Sequence, residues 1–267
     1  MVIYNLTSKI NQLSKDEILS MDIDTLHSIL VFFTKISEKE AKTVDADIAL
    51  LISETWGKKA SDASYAATLK DSSGAGTRSV SIEKGVDRTI YVATIGDAYG
   101  EKIGLFDLAY QADIDFNRNK IDMVGGFFTS GEAYAWAYTG ETFTVSGSGG
   151  SQYAYVRYNG FTWADIIGGV NSSATYTVTV SLYEYSGGQW YHLNTNTPYN
   201  ITTNQEWSDY GGYFYEAIGA YLTPGSTYQV RVKTYGQASS PLFAAGSAVH
   251  SWSPDYTMWT SIQIDWQ

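Results

Sequence analysis

From residue 131 to the C-terminus, the chain breaks into short runs of Tyr, Val, Thr and Trp, each closed off by Gly, Asn or Pro. This rhythm constrains the fold more than any other feature. Alternating runs bounded by turn residues are the signature of antiparallel strands. The runs fall at 133–138, 142–145, 152–158, 174–185, 189–193, 213–221, 227–235, 246–252 and 257–266, with turn signals at 147–150, 159–160, 186–188 and 223–225. Strands at this spacing predict two packed antiparallel sheets in a jelly-roll or immunoglobulin-like sandwich.

Alternation also assigns faces. Tyr176, Val178, Val180 and Leu182 share a core face, and Thr175, Thr177, Thr179, Ser181 and Tyr183 share a neutral outer one. Tyr228, Val230 and Val232 point inward, with Arg231 and Lys233 outward. Ile262, Ile264 and Trp266 alternate with Gln263 and Asp265, which makes the last strand integral to a sheet.

The first seventy residues follow a different period. Ser14-Lys15-Asp16-Glu17 is a capping box, and Asp24 is a second candidate cap. Leu26, Ile29, Leu30, Phe33 and Ile36 then repeat at helical spacing. A second box, Ser37 to Glu40, precedes the stripe Val44, Ile48, Leu51, Ile52 and Trp56. Gly57, Lys58 and Lys59 suit a helix end, and residues 60–70 carry a weaker helical pattern. Residues 71–76 have linker composition. Beyond Arg78 the pattern alternates, with a β-rich stretch at 89–94 and a hairpin or long strand at 103–116.

The expected organisation is α+β. A helical hairpin or small bundle spans 1–70, a linker and β-rich connecting region spans 71–130, and an aromatic-rich, predominantly antiparallel β-sandwich spans 131–267.

Composition narrows the function. Charged residues are 17% of the 267, against about 25% in typical soluble domains. With 22 Tyr and 8 Trp, such a surface is covered largely by neutral polar groups. The net charge of −11 repels phosphate, which disfavours nucleic acid and anionic membranes as partners. No cysteine is present, so disulfides, thiolate metal sites and Cys nucleophiles are excluded. No apolar run approaches the roughly 20 residues of a membrane span. Met1-Val2-Ile3-Tyr4-Asn5 lacks a basic segment leading into an apolar run, so no signal peptide is expected in this sequence.

Motifs for catalysis are sparse. His27, His192 and His250 stand apart, without metal-ligand spacing, and no GxSxG elbow occurs. The glycine-rich stretch 146–151 precedes a strand and has no Walker lysine, so it is a loop and not a phosphate cradle. The segment from Tyr228 to Ser240 resembles the acid/base strand of family-11 xylanases. That family carries a glutamate just before its Gly-Tyr turn, and this segment has no acid, so no catalytic residue transfers. Glu184, Glu206 and Glu216 are isolated acids in separate runs. Asp113, Asp115 and Asn117 echo the start of a calcium loop. Arg118 replaces its glycine and Val124 its bidentate glutamate, so Ca2+ is only weakly supported. Three Asn-x-Ser/Thr sequons begin at Asn5, Asn171 and Asn200.

The aromatic residues carry the strongest signal. Seven of the eight Trp, all but Trp56, lie after residue 130. Rings beside turns are the candidates for ligand contact: Trp163, Trp190 and Tyr191, with Trp207, Asp209 and Tyr210. The expected role is a non-enzymatic surface or structural protein, in an extracellular layer, appendage or virion, working by self-association or by binding other surface proteins. The alternatives are a carbohydrate-binding module using exposed Trp and Tyr, and a jelly-roll glycoside hydrolase with paired carboxylates.

Overall fold

The computed structural model describes residues 2–22, 25, 26, 28, 29, 32, 43, 45, 47, 48, 51, 52, 55, 79–126, 130–169, 172–204, 208–240, 246–251 and 256–267; at 2–5 and 208–210 only the backbone is described. Strands dominate. They are β1 (Val80–Glu83), β2 (Arg88–Ile90), β3 (Ile95–Ile103), β4 (Phe106–Asp113), β5 (Arg118–Gly125), β6 (Gly131–Ser146) and β7 (Gln152–Gly168). The remainder are β8 (Ser173–Ser186), β9 (Gln189–Thr203), β10 (Ser208–Leu222), β11 (Thr227–Ser240), β12 (Ser247–Ser251) and β13 (Thr257–Trp266).

They form two sheets. The first runs β6-β11-β8-β9, all antiparallel. β3 and β1 share the free edge of β6, β3 antiparallel along its first part and β1 parallel along its last. In the second sheet β10 pairs with one edge of β7, and β12 and β13 divide the other. β5 and then β4 lie beyond β12, and β2 lies beyond β13. Residues 71–130 therefore supply strands to both sheets. The stretch 103–116 does not form one strand: β3 ends at Ile103 in the first sheet, and β4 begins at Phe106 in the second. The β8–β9 hairpin turns at Gly187 and Gly188, both at positive φ, the backbone that a two-residue hairpin loop needs.

The strand faces follow the alternation. Val178, Val180 and Leu182 of β8 face Val156, Ile166 and Ile264 of the second sheet across one core. Polar bonds through this core fix the sheets against each other. The Tyr176 hydroxyl on β8 meets Thr162, Thr257 and Ser251 of the second sheet at 2.5, 2.7 and 3.1 Å. Trp259 Nε1 donates to Thr139 at 3.1 Å, and Asn119 Nδ2 to the Val232 carbonyl at 2.7 Å. Buried polar groups are costly when unpaired, so these bonds select one register.

The helices sit on the outside of the second sheet. α1 spans Val2–Ile10 and α2 Lys15–Ser20, the latter opened by the Ser14/Glu17 capping box. Asp22 caps the next turn by accepting from the Thr25 amide at 2.7 Å; Asp24 lies outside the described residues. Ile10, Ile18, Leu26 and Ile52 bury against Ala109, Val124, Ile167 and Ala248, which face outward from β4, β5, β7 and β12. Ile29, Ile48 and Leu51 add to this second core. Leu30, Phe33, Ile36, Trp56, the second capping box and the 71–76 linker fall outside the described residues.

Candidate functional site

The outward face of the first sheet has no element packed over it among the described residues. Its side chains form a lattice set by strand register. One row across β3, β6, β11, β8 and β9 reads Tyr99, Trp136, Tyr235, Thr177, Asn200. The row on one side reads Glu101, Tyr134, Gln237, Thr175, Thr202, and that on the other Asp97, Tyr138, Lys233, Thr179. Further rows add Arg231 and Ser181, then Gln229, Tyr183 and His192, then Tyr185 and Trp190. At about 4.8 Å per strand, the face is roughly 19 Å wide.

The rings hold one another in place. Trp136 stacks on Tyr138 with centroids 5.9 Å apart and meets Tyr99 at 6.2 Å. Tyr185 meets Trp190 at 5.1 Å, and Tyr183 meets His192 edge-on at 5.5 Å. Lys233 lies over the Trp136 ring at 4.7 Å, and Arg231 lies between Tyr138 and Tyr183 at 4.8 and 4.4 Å. Such contacts fix flat apolar surfaces in known orientations.

Polar groups are fixed as well. Tyr99 and Tyr134 both donate to Glu101, the latter at 2.8 Å. Those bonds hold the Glu101 carboxyl below its usual range and push the Tyr99 phenol up to about 12. Tyr235 donates to Gln237 at 3.0 Å, and Gln237 in turn donates to Glu132. Burial lowers the Lys233 ammonium, with a smaller push from Arg231. The arrangement offers hydroxyls, amides and two cations between partly buried rings.

The sequence candidates that are described do not all gather at one place. Trp190 lies on β9, half-buried against Tyr185, at the hairpin end of this face. Tyr191, its neighbour in sequence, is exposed and alternates to the other side of the strand. Trp163 stands on β7, outward from the second sheet, where its ring lies over Gly211: a Cβ there would meet Trp163 Cε3 at 2.5 Å. Asp209 and Tyr210 contribute backbone to β10, paired with Asp165 and Ala164, and Trp207 lies outside the described residues.

Two of the three metal candidates, Asp113 and Asn117, have other engagements. Asp113 pairs with Lys120 at 3.2 Å. Asn117, in the left-handed region at φ 55°, accepts from the Ala93 amide at 2.7 Å and donates to the Tyr91 and Trp259 carbonyls. Among the described residues, no cluster of three or more His, Asp or Glu can hold a metal. His192 bonds Thr195 at 2.6 Å on the first sheet, and His250 faces Asp122 at 3.2 Å on the second. Glu184 and Glu216 also belong to different sheets, bonded by Tyr228 and Asn196.

The central ring residues Trp136, Tyr134 and Tyr138 were not singled out by sequence. The available signal was their partners in alternation. Ala133, Ala135 and Ala137 are fully buried, so the large rings of β6 must face out.

No family model matches the chain, and no curated protein matches it significantly. Solved structures with partial likeness include the enzymatically active domain of bacteriophage CBA120 tailspike protein 4, at 11% identity and TM-score 0.22, covering 62% of this chain and 19% of that one. Another is TmCBM61 in complex with β-1,4-galactotriose, at 8% identity and TM-score 0.21, covering 64% and 88%. A third is the family 11 carbohydrate-binding module from Clostridium thermocellum in complex with a β-1,3-1,4-mixed-linked tetrasaccharide, at 12% and 0.21, covering 64% and 88%. These superpositions are too loose to assign the chain to any of these families.

Proposed function

We propose that the chain is a non-catalytic glycan-binding module whose receiving surface is the outward face of the first sheet. The observation that carries this reading is the row Tyr99–Trp136–Tyr235 with its neighbours Tyr134 and Tyr138. The apolar faces of sugar rings stack on such rings, and Gln237, Asn200 and the β8 threonines stand within the same lattice to bond hydroxyls. A setting outside the cell, on a cell surface or on a virion suits this role.

Isothermal titration against mixed-linkage β-glucan, β-1,4-galactan, polygalacturonate and alginate tests it. At least one polymer binds, and Trp136→Ala weakens that binding by tenfold or more while far-UV dichroism is unchanged. Absence of binding across a broad polysaccharide panel removes the reading.

A second reading, a surface or structural protein that self-associates, draws on the second sheet. Tyr213, Tyr215 and Tyr221 face outward on β10 and are 85%, 62% and 69% exposed, and exposed apolar patches mark association surfaces. Light scattering at high concentration decides it, since a strict monomer counts against it.

A further inference from the structure

The open face carries its positive charge in an unusual place. The chain has 17 Lys and Arg against 28 Asp and Glu. Yet Arg231 and Lys233 occupy successive outward positions on β11, the central strand of the sheet, about 7 Å apart. Among the described residues, no carboxylate forms an ion pair with either. The acids of the face lie toward the β3–β6 edge, where Tyr99 and Tyr134 hold Glu101, and Gln237 holds Glu132. Asp97 is separated from Lys233 by Tyr138.

Both cations lie against aromatic rings. Arg231 is clamped between the Tyr138 and Tyr183 rings, and its Nε donates to Gln229. Directly opposite on β6 stands Gly140, where a Cβ would meet the Val230 carbonyl oxygen at 1.9 Å. No side chain can therefore rise beside the guanidinium from that strand. A guanidinium presents five donors in a planar fork that matches a carboxylate. Here one is spent on Gln229. Holding two unpaired cations side by side against aromatic rings is unfavourable, and the lowered Lys233 ammonium reflects the desolvation and the repulsion from Arg231. An anion bound between them would relieve both.

We infer that the glycan taken by this face is acidic, a uronic-acid polymer whose ring carboxylate seats at Arg231 and Lys233 while its sugar rings lie along the Tyr99–Trp136–Tyr235 row. This rests on the glycan-binding reading above and names the class of glycan. A neutral polymer would fill the rings but leave the two cations unmatched. A charge-assisted pair is stronger than a neutral one, so the acidic form binds roughly tenfold or more tighter than its uncharged counterpart.

The experiment titrates the full chain with polygalacturonate, alginate and hyaluronan, each beside its methyl-esterified form, and with dextran sulfate. At least one uronate polymer binds tenfold or more tighter than its ester, and the preference shrinks as salt rises. Arg231→Gln/Lys233→Gln abolishes the preference for the acid form over the ester, whereas Lys233→Arg keeps it. Equal affinity for acid and ester in the unsubstituted protein overturns the inference and leaves the glycan-binding reading standing. That comparison needs no variant to fold. Binding of dextran sulfate without any uronate overturns the carboxylate assignment. If none of these polymers binds in either form, the inference falls, and the glycan-binding reading falls with it only when the neutral glucan and galactan also fail to bind.

Discussion

The two sheets of this sandwich finish their outward faces in opposite ways. Over part of the second sheet the outward residues are small and aliphatic, Ala109, Val124, Ile167 and Ala248, and helices close over them. On the first sheet the outward residues are rings, amides, hydroxyls and two cations, laterally locked and left open. The sheets also differ in how their exposed rings are held. Among the described residues, the ring contact of Tyr213 on the edge strand β10 is with Phe161, whereas Trp136 touches Tyr99, Tyr138 and Lys233. Exposure alone therefore does not distinguish a site. Pre-set orientation does, because a ring already fixed loses little freedom on binding.

The largest expected effect comes from charging the covered face. Val124→Asp buries a carboxylate among the helices and costs about 4 kcal/mol in urea-melt stability, whereas Thr179→Asp on the open face changes stability by less than about 0.5 kcal/mol. Equal losses would mean that the two faces are not covered differently.

Next in size is an acid lying beneath the open face. Glu141 on β6 points inward and is 1% exposed. Burial pushes its carboxyl up to about 7, with the Thr94 hydroxyl and Thr142 amide opposing. The folded protein thus holds this proton more tightly than the unfolded chain. The stabilising contribution of the protonated acid is fully present below the usual carboxylate range near 4.5, falls as pH rises from there to about 7, and is gone above that. Glu141→Gln removes this segment of the pH dependence and stabilises the protein at pH 8 by roughly 1–3 kcal/mol, read from melts between pH 4 and 8. An unchanged slope in the variant would count against the burial of that charge.

The smallest effect sharpens the contrast between rings. Trp163→Ala on the second sheet leaves glycan affinity within about twofold and stability within about 1 kcal/mol, because its ring is 42% exposed and lies over a glycine. A loss matching that of Trp136→Ala would move the site to the other sheet.

Much of the fold could be read directly. Alternation in β8 and β11 assigned inward and outward residues that the structure shows, because a period of two admits only one buried face. The Ser14 cap was legible for the same kind of reason, being local. Pairing was not legible. Nothing local says that β3 and β4 enter different sheets, or that β12 and β13 divide one edge of β7, since these are decided by contacts distant in sequence. The open face shows the same limit. Trp163 and Trp190 look alike beside their turns, yet register places them on opposite sheets. Trp136 sits within a run and reads as core until its alternating alanines are noticed.

Those alanines carry a further consequence. With Ala133, Ala135 and Ala137 filling the inward side of β6, the interior behind the rings is close-packed by methyl groups. Overfilling such a position displaces backbone. Enlarging Ala135 would tilt β6 and with it the plane of Trp136. A change hidden in the interior would thereby reshape the open face while every exposed residue stayed the same.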